Sequence, residues 1–69
     1  MQRLTWAASL MEAEMIAVLL RGEGIEVLIQ RQPGLDAPDF LSGGPRILFV
    51  EDDRFEEAAE LVEAHFGLR

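Results

Sequence analysis

The sequence predicts an α+β domain of order β-α-β-β-α, with a three-stranded antiparallel sheet and two helices on one face. Two segments carry apolar residues at helical spacing, and each ends on a glycine. Three short runs of β-forming residues flank them. The second and third of these runs are joined by a long connection rather than by a helical pattern, so they pair as antiparallel neighbours.

"RLTWA" is the first strand, with Leu4 and Trp6 on one face and Arg3 and Thr5 on the other by simple alternation. The first helix is "SLMEAEMIAVLLRGEGI". Ser9 and Glu12 have the spacing of a capping box, in which hydroxyl and carboxylate each satisfy an amide of the first turn. Leu10, Ala13, Ile16, Ala17 and Leu20 form its expected buried stripe. Gly24 is the expected left-handed stop, with Ile25 folding back on Leu20. "IEVLIQR" is the second strand: Ile25, Val27 and Ile29 point inward, and Glu26, Leu28 and Gln30 outward. "RILFV" is the third, with Ile47 and Phe49 on one face and Leu48 and Val50 on the other; Pro45 precedes it, where a missing N–H matters least. "DDRFEEAAELVEAHFG" is the second helix. Asp52 or Asp53 is expected to cap it, Asp53 pairs with Glu56 in box-like spacing, and Gly67 ends it. Phe55, Ala58, Ala59, Val62 and Phe66 form its inner stripe.

With a right-handed β-α-β crossover, this order gives a ferredoxin-like unit, strand order 1-3-2, without the fourth strand that would pair with strand one. The open edge and the helix-free face are therefore expected to seek a partner. Arg3, Thr5, Leu28, Leu48 and Val50 are the expected interface residues on that edge and face, joined by Phe40 and Leu41 of the long connection.

The 69 residues make one domain, 1–69. A chain of this size buries only about 60% of its unfolded surface and generally needs a staple. Cysteine is absent and there is a single histidine, which removes disulfides and thiolate zinc sites and leaves oligomerisation, as dimer or trimer, as the expected staple. The formal charge is −7 and all six cations are arginine, a balance that argues against nucleic acid and anionic membrane surfaces as partners. No apolar run nears the roughly 20 residues of a membrane span. The opening MQRLTWAA lacks a signal-peptide core, so a cytoplasmic location is expected.

"EAEMIAVLLRGEGIEVLI" followed by "RILFVEDDRFEEAAELV" resembles a family of small bacterial domains of unknown function described as prokaryotic signal-transducing proteins. Their fold is grouped with the PII-like (nitrogen-regulator-like) proteins. The likeness is carried by Glu12, Ala13, Leu19, Leu20, Gly24 and Ile25, by Val50 with the acidic turn Glu51 to Asp53, and by Ala58 and Leu61. It spans nearly the whole chain through structural motifs. Val50-Glu51 stands where that family often has a proline before the acidic turn. The resemblance implies no catalytic residues. It implies, by analogy of fold, a regulatory oligomer that binds small anionic effectors beside a long loop between strands two and three.

Chain direction defines a candidate site. Strand one ends at Trp6, strand two at Arg31, and strand three begins at Arg46, so all three lie at one end of the sheet. The first helix begins there at Ser9 with its positive dipole end, and Gly43 and Gly44 would let amides turn toward an anion. Arg31, Arg46, Gly43, Gly44, Ser9 and Trp6 are thus the candidate cradle for a carboxylate or phosphate. The plainer alternative has the arginines paired with Asp36 and Asp39, the glycines making a turn, and Trp6 in the core. Leu35, Phe40 and Leu41 either anchor the connection on its own domain or dock on a second protein.

The acids of the second helix are spread around its outer side and are expected to be a solvated face rather than a calcium site. His65 has no spaced acid or serine to make it a base, Glu12 and Glu14 do not share a helix face, and no constellation of catalytic residues is found. The expected function is a non-enzymatic, cofactor-free regulatory module that binds a small anionic metabolite or a protein partner through the 32–44 loop end and oligomerises. The alternative is a protein-interaction domain that uses the strand-one edge or the open sheet face.

Overall fold

The computed structural model describes residues 1–31 and 44–67. Its elements follow the predicted order: β1 Gln2–Ala7, α1 Leu10–Gly22, β2 Val27–Arg31, β3 Arg46–Val50, a 3₁₀ turn Asp52–Arg54, and α2 Phe55–Phe66. The sheet is antiparallel with order β1-β3-β2.

Local signals account for the helix ends. Ser9 is extended at the N-cap and its Oγ accepts from the Glu12 amide at 3.2 Å. The Glu12 carboxylate accepts in return from the Ala8 amide at 3.2 Å, one residue earlier than the usual box. At the other end Gly24 adopts φ +79°. Its amide donates to the Arg21 carbonyl and that of Ile25 to the Leu20 carbonyl, both at 3.0 Å, which is the Schellman pattern. Gly67 closes α2 at φ +70°.

The start of α2 departs from expectation. Neither Asp52 nor Asp53 caps it, and no side chain bonds its first amides. The Arg54 guanidinium ties this corner instead. Nε donates to Glu57 Oε1 at 2.8 Å, while Nη1 and Nη2 donate at 3.2 Å to the carbonyls of Gly24 and Glu23. One arginine at the N-cap of α2 thus binds the carbonyls of the two residues that follow α1, with the sign that the dipole of α1 favours. The same hydrogen bond holds the Glu57 carboxyl below its ordinary value, and Glu57 is the main reason the Arg54 value is raised.

The core lies on one face of the sheet. Ala13, Ile16, Ala17 and Leu20 of α1 and Ala58 and Val62 of α2 pack with Ala7, Val27, Leu48 and Val50. The register explains which strand residues join them. Thr5, Leu48 and Ile29 stand in one row, and Val50 lies opposite Val27. Arg3 pairs with Phe49 and Thr5 with Leu48, so Leu4 is the extra residue of a β-bulge. This bulge puts Arg3 and Thr5 on opposite faces, against the strict alternation read from the sequence.

Three expected interface residues are therefore core residues: Thr5, Leu48 and Val50 are buried beneath the helices. Ile47 and Phe49 occupy the helix-free face instead. The strand "ILFV" is apolar on both sides, so its pattern carries no information about which side faces the helices. Leu10, expected in the buried stripe of α1, is partly exposed.

Candidate functional site

The helix-free face is built by alternation from all three strands. Trp6, Ile47 and Gln30 form one row across it, and Arg3, Phe49 and Leu28 the next. No described helix packs on these side chains. Trp6 is 45% exposed and Leu28 43%, whereas Ile47 between Trp6 and Gln30 is nearly buried. The surface is therefore a shallow apolar strip with a tryptophan at one corner and the Arg3 cation at another.

β1 lies at one edge of the sheet. Beside it a groove of about 260 Å³ runs between β1 and α2. Leu4, Phe55 and Val62 contribute apolar lining, and Glu56, Glu60 and Glu63 its acidic side. The bulge at Leu4 gives this edge a local twist that discourages indiscriminate strand addition.

The six residues of the expected anion cradle do not all converge. Arg31 and Arg46 face each other across β2 and β3 and lie on the helix-covered side. Trp6 shares a row with Ile47 and so lies on the opposite face. The start of α1 is already supplied with acceptors, because Ser9 Oγ holds the Glu12 amide and the Glu12 carboxylate holds that of Ala8. Arg46 is largely buried, and its Nη1 donates to the Gly44 carbonyl at 3.0 Å and the Pro45 carbonyl at 3.3 Å. Gly44 has φ +107°, a conformation that supports the turn into β3. Gly43, Phe40 and Leu41, with Leu35, Asp36 and Asp39, lie outside the described residues.

His65 is exposed near the end of α2. Among the described residues no three acidic or histidine side chains converge as metal ligands would. No helix of the described residues is long and apolar enough to cross a membrane.

Sequence reading missed one surface. α1 carries a second apolar stripe, Met11, Met15 and Val18, on the side away from the core. Its signal was present as 4–3 spacing, hidden by the core stripe of the same helix. Comparison with family models, with curated proteins and with solved structures gave no match.

Proposed function

We propose that this domain is a non-catalytic interaction module that receives a partner protein on its helix-free sheet face and the adjoining β1 edge. The observation that carries the reading is the half-exposed pair Trp6 and Leu28, bracketing Phe49 and Ile47 on a face that no described helix covers. Aromatic side chains on a shallow apolar surface are the residues most often responsible for binding energy at protein interfaces. The acidic side of the groove next to β1 favours a partner segment that brings basic side chains.

A photo-crosslinker replacing Leu28 should yield a discrete protein adduct in cells, and one replacing the exposed His65 should not. Adding Trp6→Glu should reduce that adduct about tenfold or more while leaving the circular dichroism unchanged. Equal labelling from both positions, or labelling indifferent to Trp6→Glu, would sink the reading.

A regulatory reading rests on a different observation, the direct opposition of Arg31 and Arg46. Two adjacent guanidinium groups are the kind of donor set that recognises a phosphate or carboxylate. Phosphate, pyrophosphate and citrate are the compounds to try. One of them should raise the melting temperature by roughly 5 °C or more near saturation, and Arg31→Ala should abolish the shift. A flat response to all of them removes the anion from the proposal and leaves the sheet face.

A further inference from the structure

From the outward side of α1, we infer that a second copy of this chain docks there, as an antiparallel helix pair about a twofold axis. Met11, Met15 and Val18 are 75%, 56% and 68% exposed. With Gly22 they repeat at spacings of four, three and four, the seam of a two-helix coiled coil. At 100° per residue this seam is centred opposite Ala13, Ile16, Ala17 and Leu20, the stripe already committed to the core. Shallow hollows of about 490 Å³ and 360 Å³ border it, both lined by Met11 and Met15. A helix that is apolar on both sides belongs between two layers, and the described residues supply only one.

Charge selects the occupant and its direction. Glu14 and Arg21 lie on the same flank of the seam, two turns apart, and approach only to 3.9 Å within the chain, both well exposed. In an isologous pair each contact occurs twice with the roles exchanged. Antiparallel docking about a twofold that sets Met15 against the partner's Val18 also brings Met11 over the partner's Gly22. It places Glu14 beside the partner's Arg21 at both ends. Parallel docking sets Glu14 against the opposite flank, where Leu19 stands, and makes no such pair. The seam is self-complementary in shape, large on small, and in charge.

The helix is 13 residues long, so the contact is small and the dimer weak. Its dissociation constant should fall in roughly the micromolar range, as for interfaces below the standard size. Sedimentation velocity from about 1 µM to 1 mM should show a reversible monomer–dimer equilibrium that weakens with added salt. Met15→Asp, at an exposed position, should leave circular dichroism unchanged and the protein monomeric throughout. Glu14→Arg alone and Arg21→Glu alone should each weaken association about tenfold or more, since like charges then meet at both ends. An equimolar mixture of those two variants should recover wild-type association, because every contact again joins opposite charges. A wild-type protein monomeric at 1 mM overturns the inference. So does a dimer that survives Met15→Asp, one lost on Trp6→Glu instead, or a mixture that fails to recover.

Discussion

Leu48→Ala is expected to remove about 2–5 kcal/mol of folding stability, most of what a domain this small has. Leu28→Ala should change it by less than about 1 kcal/mol. Leu48 sits in the central strand, in the row between Thr5 and Ile29, fully covered by the helices. Truncation there leaves a cavity that β3, paired on both sides, cannot collapse to fill. Leu28 lies on the opposite face and already meets solvent. Urea denaturation followed by circular dichroism at low protein concentration separates the two. A larger loss from Leu28 than from Leu48 would mean that the helices cover the other face of β3, and with it the Trp6 surface proposed for binding.

The contrast shows which links of sequence to fold are legible locally. Ser9 with Glu12, and Gly24 with Ile25, act within a single helical turn, so residue type and spacing suffice to place them. Facing is not local. β3 is apolar on both sides, and only its registers with β1, shifted by the bulge at Leu4, and with β2 put Leu48 and Val50 under the helices. α1 poses the same ambiguity, since Leu10, Met11, Met15 and Val18 are as apolar as the stripe that is buried. Arg54 reaches carbonyls about thirty residues away in sequence, beyond any spacing rule. For the candidate anion site, chain direction puts Arg31 and Arg46 at one end of the sheet, and the register sets them opposite each other. Chain direction carries no information on facing, so it groups Trp6 with them although Trp6 lies on the opposite face of the sheet.

Two glycines of one helix end should respond in opposite directions, which tests how that end is held. Gly22 is the last helical residue and Gly24 is left-handed at φ +79°. A methyl group added at either position meets nothing within 4 Å, so crowding plays no part at either. Gly22→Ala should stabilise the dilute protein by roughly 0.5–1 kcal/mol, through lower entropy of the unfolded chain. Gly24→Ala should cost about 1–2 kcal/mol, the penalty of a left-handed conformation for a residue with a Cβ. The loss should be accompanied by a weakened corner. Gly24 turns the chain so that Ile25 covers Leu20 and the carbonyls of Glu23 and Gly24 meet the Arg54 guanidinium. If Gly24→Ala relaxes the turn, Arg54 loses acceptors as well as the helix its cap. Amide hydrogen exchange at Ile25 should then accelerate relative to Ile16, while Gly22→Ala should slow it. Equal responses to both substitutions would show that the end of α1 frays freely, and that neither the Schellman turn nor Arg54 restrains it.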